Sequence, residues 1–261
     1  MLGNKPSVRA IAVSLSALAL AACATSMGGP KPLAAVDYTA ILADPGRSDA
    51  DKRDDAARKP AEVLEFAQIR PGDTVLEMEV GRGWMTDILS KAVGPTGKVI
   101  TQNPAEFAYS SPALKTRRDA GRLPNVTETT SRFDDLKVAD GTVDRVLWML
   151  GPHEIFYVPA NSPGLGEPTK TYAEIKRVLK PGGTLVVLDH AANPGVAPMT
   201  SGAYHRVDPA VVMDLATKAG FKLDAESKLL ANPADDRAKT PFEPTIRRHT
   251  DQFFYRFKKT K

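Results

Sequence analysis

The chain has 261 residues, enough for one large domain or two small ones. Apolar residues make up 42% and charged residues 25%, which excludes wholesale disorder and a polytopic membrane protein. The formal charge is +4, or +2 once Lys5 and Arg9 are set aside with a removable leader, too little to argue for nucleic acid. Cys23 is the single cysteine, which rules out an intramolecular disulfide and a cysteine-based zinc site.

The N-terminus reads as an address. Lys5 and Arg9 precede an apolar run over residues 10–22, interrupted only by two serines. Thirteen residues suit a signal-peptide core and fall short of the ~20 that a spanning helix needs. The run ends in Leu20-Ala21-Ala22-Cys23, which resembles the lipobox of bacterial lipoproteins. The resemblance implies lipidation of Cys23 and an exported, envelope-bound protein; Ala24 after it implies the outer membrane. Several acyl chains on one residue anchor a soluble domain durably. Ala19-Leu20-Ala21 also fits ordinary secretion, which would leave Cys23 a free thiol. The expected division is a signal peptide over 1–22, a tether and N-terminal extension over 23–50, and one domain over 51–261.

Strand and helix signals alternate from there. The spacing predicts a helix over 55–69, stopped by Arg70-Pro71-Gly72-Asp73, and a strand over 74–78. A helix over 85–93 closes at Gly94-Pro95, followed by a strand over 98–102, a basic helix over 111–121 and a strand over 126–130. The most apolar strand covers 143–150. A helix over 171–179 turns through Lys180-Pro181-Gly182-Gly183 into a strand over 184–188, and a helix over 209–219 precedes a strand over 222–230. The alternation in 252–258 fits a last strand. Strands separated by helices imply an α/β, three-layer, Rossmann-like doubly wound sheet, mostly parallel. The last two strands have only a loop between them and are expected as an antiparallel pair at one edge.

The first strand runs into Glu77-Met78-Glu79-Val80-Gly81-Arg82-Gly83-Trp84. Two glycines between strand and helix let a ligand approach the backbone, or simply pack the helix closely on its strand. A dinucleotide fingerprint needs a third glycine, and Thr86 stands there. This turn, the Leu179-Lys180-Pro181-Gly182-Gly183 turn and the closing strand pair resemble the class I methyltransferases that use S-adenosylmethionine. A group of methyltransferase-like proteins, often exported, also resembles the tail: Asn232-Pro233-Ala234-Asp235-Asp236, Phe242-x-Pro244-x-Ile246-Arg247 and Thr250-Asp251-Gln252-Phe253.

The resemblance implies that Glu77, Gly81 and Gly83 face the methionine end of the cofactor. Glu79 stands where most of the family has its first glycine. Gln102-Asn103 occupy the place of the acid that holds the ribose hydroxyls, which alters that grip. Asp134-Asp135 match the adenine contact or form a solvated acidic turn, and Met149 ends the strand that lines the reaction site.

Transfer of a methyl group from a sulfonium depends mainly on alignment, with a base needed only where the nucleophile carries a proton. His153 and Tyr157, after the fourth strand, and His190, after the fifth, are the candidates; each histidine has a structural hydrogen bond as its alternative. A mononuclear site from His153, Glu154, His190 and His205 lacks a helical histidine pair to support it, and no metal is expected. Arg237, Arg247, Arg248 and His249 form a solvated face or recognise a carboxylate or phosphate. The expected function is S-adenosylmethionine-dependent methylation of a small molecule by a lipid-anchored envelope protein, without nucleic-acid partners. The alternative is a non-catalytic relative that binds another ligand in the old cofactor cleft.

Overall fold

Short apolar runs bounded by glycine and proline turns form seven strands: β1 (Thr74–Met78), β2 (Lys98–Asn103), β3 (Val126–Thr130), β4 (Val143–Met149), β5 (Leu179–His190), β6 (Phe221–Ser227) and β7 (Gln252–Lys259). The computed structural model describes residues 1–3 and 35–260, except the side chains of 199–201. The strands belong to the unit Leu33–Lys261. They join in the order β3-β2-β1-β4-β5-β7-β6. The first five are parallel, and β7 lies antiparallel between β5 and β6. Cys23 and residues 4–22 of the signal sequence lie outside the described residues.

Alternate side chains of a strand face opposite sides, so a sheet covered twice is apolar on both. Leu76, Val146, Trp148, Leu185 and Val187 pack beneath α6 (Pro168–Val178) and α8 (Pro209–Lys218), through Tyr172, Ile175, Val212 and Ala216. Val75, Leu147, Val186 and Leu188 pack on the other face against α1 (Tyr38–Leu42), α3 (Pro60–Phe66) and α4 (Trp84–Val93). The remaining helices are α2 (Asp49–Arg58), α5 (Ser111–Asp119) and α7 (Pro198–Tyr204). The edge strands β3 and β6 carry mostly exposed polar residues, which discourages pairing with another chain.

The expected helix over 55–69 is two helices. Lys59 adopts left-handed angles (φ 46°) before Pro60, which disfavours a helical residue ahead of it and opens α3 at its first position. The helix before it begins at Asp49, fixed by a capping box between Ser48 and Asp51, so the boundary expected at residue 51 falls inside α2. Tyr38 is buried in the same core. Strand β5 starts at Leu179, which pairs with Val143; the register then shifts, the Pro-Gly-Gly turn bulging out before Thr184 pairs with Arg145.

Candidate active site

In a parallel sheet the carboxyl ends of the strands leave a crevice where ligands bind. β1 and β4 both exit there through non-glycine residues in the left-handed region, Glu79 (φ 55°) and Leu150 (φ 56°), a conformation kept only where surroundings enforce it. The Glu79 N–H donates to the Gln102 carbonyl at 2.7 Å, and the Leu150 N–H to the Leu188 carbonyl at 2.7 Å. A Cβ on Gly81 (φ 53°) would meet nothing within 4 Å, so that backbone borders open space. At Gly83 it would come within 2.6 Å of Leu114, so this glycine lets α5 pack closely. Gly83 thus takes the packing role, while the space beside Gly81 stays open.

The Glu79 carboxylate crosses to the end of β4, where Oε2 accepts from Trp148 Nε1 at 3.3 Å. A side chain at Gly151 would collide with that oxygen and with the Trp148 indole, so this glycine makes room for the carboxylate. Burial, and then the negative charge of Glu154, hold the Glu79 carboxyl well above the usual range.

A 3₁₀ turn over Pro152–Phe156 carries His153 and Glu154. His153 is 2% exposed, and Asp189 at the end of β5 holds it twice: Oδ2 accepts its backbone N–H at 2.8 Å, and Oδ1 lies 2.8 Å from Nδ1. The other ring nitrogen, Nε2, lies 3.2 Å from His205 Nδ1 and 3.3 Å from Glu154 Oε1. Burial opposes charge on this imidazole, but Asp189 and Glu154 outweigh it and push its pKa up to about 10. Burial likewise works against the Glu154 carboxylate, and hydrogen bonds from His153 and His205 reverse that, holding it at about 2. His205 (φ 53°) has a side chain 24% exposed, set against Phe242 at 4.8 Å and Tyr157 at 5.9 Å between ring centres.

His153, Glu154, Tyr157, His205 and Phe242 line a cleft of about 930 Å³ together with Arg58, Arg82, Tyr109, Arg247 and Arg248. Of the residues expected at the site, Glu79, His153, Tyr157 and His190 line it. His190 Nδ1 is taken by Thr250 Oγ1 at 2.6 Å, and burial followed by the His153 charge depresses its pKa well below the ordinary value. Glu77 is buried under α4, accepting from Thr86 Oγ1 at 2.6 Å, and burial pushes its pKa up to about 8. Gln102 is fully buried and stitches strands together: Oε1 accepts the Glu79 N–H at 3.3 Å and Nε2 donates to the Ser131 carbonyl at 2.6 Å. Asp134 is engaged with Arg132 and the Glu167 N–H, and Asp135 with Lys137. Met149 packs against the α4 side of the core. None of these last five residues borders the cleft.

Sequence reasoning did not single out Asp189 or Ser131. The signal for Asp189 was its place at the carboxyl end of a parallel strand, the same rule that selected the histidines.

Residues 76–187 match the family model described as a methyltransferase domain. The fold is that of the class I methyltransferases. Over 195 residues the chain is 30% identical to the ubiquinone/menaquinone biosynthesis C-methyltransferase of Hydrogenovibrio crunogenus, covering 73% of this chain and 65% of that protein. The chain thus spans just under two thirds of that relative's length. A SAM-dependent methyltransferase from Aquifex aeolicus superposes with a TM-score of 0.56 at 23% identity, over 85% of this chain and 98% of that one. The geranyl diphosphate C-methyltransferase of Streptomyces coelicolor, solved with Mg2+, a thiolodiphosphate and S-adenosylhomocysteine, gives 0.57 at 14% identity over 85% and 84%. The similarity is thus to the methyltransferase domain, on the class I methyltransferase fold.

The residues present fit its cofactor. Gly81 leaves open space beside the first turn. At the neighbouring strand ends two buried oxygens, Asn103 Oδ1 and Ser131 Oγ, have no protein partner, the condition in which a site for nucleoside donors leaves its acceptors. Among the described residues, no helix is long and apolar enough to cross a membrane.

Proposed function

We propose that the protein is an S-adenosylmethionine-dependent methyltransferase acting on a small molecule. The observation that carries this reading is the charge of the cleft beside the glycine turn. Glu79 and Glu154 bring two buried carboxyls to one wall, with His153 between them and Asp189 behind it. Glu79 keeps its proton there, but the Glu154 and Asp189 carboxylates outnumber the one charged imidazole between them, and a low-dielectric wall with that excess favours a cationic ligand; the donor carries a sulfonium and an ammonium. The bound cofactor supplies an activated methyl group. Gly81 and Glu79 receive its amino-acid end, and Asn103 and Ser131 accept hydrogen bonds from its nucleoside. Both ring nitrogens of His153 are engaged by protein groups, so it acts as a positioning residue for His205, the more exposed of the two rings. The acceptor lies against Tyr157 and His205, with Arg58, Arg247 and Arg248 farther along the cleft suiting an acceptor that bears an anionic group.

The alternative of a non-catalytic relative draws on Gln102, whose side chain is spent inside the sheet where the family holds the ribose. Glu79→Gly separates the two readings. An ion contact in a partly buried cleft changes affinity by ~10²-fold. Calorimetry with S-adenosylhomocysteine should find binding to the wild type and weaker binding to the variant. Binding gained only on mutation to glycine would mean that Glu79 closes the cofactor pocket. Export and lipid anchoring at Cys23 complete the proposal, supported by the apolar run and the lipobox-like sequence.

A further inference from the structure

Three side-chain atoms on the cleft wall form a nearly equilateral triangle. His153 Nε2 and His205 Nδ1 are 3.2 Å apart, His153 Nε2 and Glu154 Oε1 3.3 Å, and His205 Nδ1 and Glu154 Oε1 3.1 Å. Among the described residues, these are the three donors that converge in this way. We infer that His153, Glu154 and His205 hold a divalent transition-metal cation. Ligands about 2.0–2.1 Å from one ion, at tetrahedral or octahedral angles, are themselves about 2.8–3.4 Å apart. All three edges fall in that interval.

In the metal-free protein both rings hydrogen-bond to Glu154 Oε1, and Asp189 fixes the Nδ1 proton of His153, so that loss of the Nε2 proton leaves a lone pair aimed at the other two donor atoms. A cation takes the place of those protons and satisfies all three atoms at once. Two independent features point the same way. Glu154 Oε2 is buried without a partner on a side chain 8% exposed, available as a second carboxylate ligand or for a metal-bound water. Asp189 behind His153 is the carboxylate–histidine pairing that orients a metal-bound imidazole and raises its basicity. Two imidazoles and one carboxylate suit zinc or a neighbouring first-row ion better than magnesium, which prefers oxygen. This departs from the expectation of no metal. Neither histidine comes from a helical pair; the fold joins the turn after β4 to the residue after α7.

The site itself stands apart from the methyltransferase reading, whereas its use in methyl transfer rests on that reading. Three protein ligands leave positions open for an acceptor oxygen. A bound hydroxyl is acidified, as metal-bound water is. Its proton passes to solvent, the new O–CH3 bond forms as the S–CH3 bond of the sulfonium breaks, and S-adenosylhomocysteine leaves.

The full-length protein, stripped with EDTA, should be titrated with Zn2+ by calorimetry beside His205→Ala and Glu154→Gln, with circular dichroism as a check on folding. The wild type should bind one Zn2+ per chain, Mg2+ should bind far more weakly, and His205→Ala, whose side chain is partly exposed, should lose ~10²-fold or more in affinity while remaining folded. No stoichiometric binding to the wild type, or equal binding by both folded variants, would overturn the site. A parallel titration with S-adenosylhomocysteine distinguishes the two claims. Cofactor binding without zinc binding removes the metal site alone, and zinc binding without cofactor binding removes the methyltransferase reading alone.

Discussion

Glu77→Gln isolates the energetic cost of one buried carboxyl. Glu77 is 5% exposed in the central strand, and its one side-chain hydrogen bond comes from Thr86. Burial raises its pKa from the ordinary 4.5 to about 8, against the smaller opposing effects of Thr86 and the Arg117 charge. An acid with a raised folded pKa holds its proton more tightly in the native state. Its contribution is therefore intact below the unfolded pKa and is lost as pH rises toward the folded one. The slope is about 1.4 kcal/mol per pH unit over that window, or about 3 kcal/mol between pH 5 and pH 7.5. Glutamine keeps an oxygen for Thr86 and does not titrate. Urea unfolding at several pH values should show the wild type losing roughly this much more than the variant across the interval. At pH 7.5 the variant should be the more stable. Parallel stability–pH curves would mean that Glu77 ionises as freely in the folded protein as in the unfolded chain, and the burial argument would fail.

Two further substitutions test separate parts of the account. Gly81→Ala meets no atoms but forces a left-handed alanine, so it should cost ~1–2 kcal/mol, a fall of roughly 2–8 °C in Tm; S-adenosylhomocysteine affinity should fall by ~10-fold or more, since the new methyl enters the space left for the cofactor. Cys23→Ser should move the protein from membranes to the soluble envelope fraction, and a variant that still sediments with membranes would contradict lipid anchoring.

Much of the architecture was legible because the sheet is buried on both faces. Unbroken apolar strands such as 143–149, closed by Gly-Pro or Pro-Gly turns, leave little choice of element or direction. The break at Lys59-Pro60 was written in the proline, but the helical stripe across it carried more weight than it should have. Position along the strands pointed to the carboxyl edge of the sheet and to four of the residues that line the cleft there. It did not reveal how those side chains are engaged. Gln102 sits at the ribose position in sequence, yet its amide joins β1 to β3, while Asn103 beside it keeps an unpartnered oxygen. The His153–Glu154–His205 group joins residues 51 positions apart through a turn and a left-handed histidine, and no periodic pattern encodes that proximity.

The central claim is that the cleft binds the methyl donor. Calorimetric titration of the wild-type protein with S-adenosylmethionine and with S-adenosylhomocysteine tests it most directly. One-to-one, saturable binding of both in the micromolar range, roughly −8 kcal/mol, is the predicted result. Absence of binding by either at millimolar concentration, from a folded protein, would contradict it.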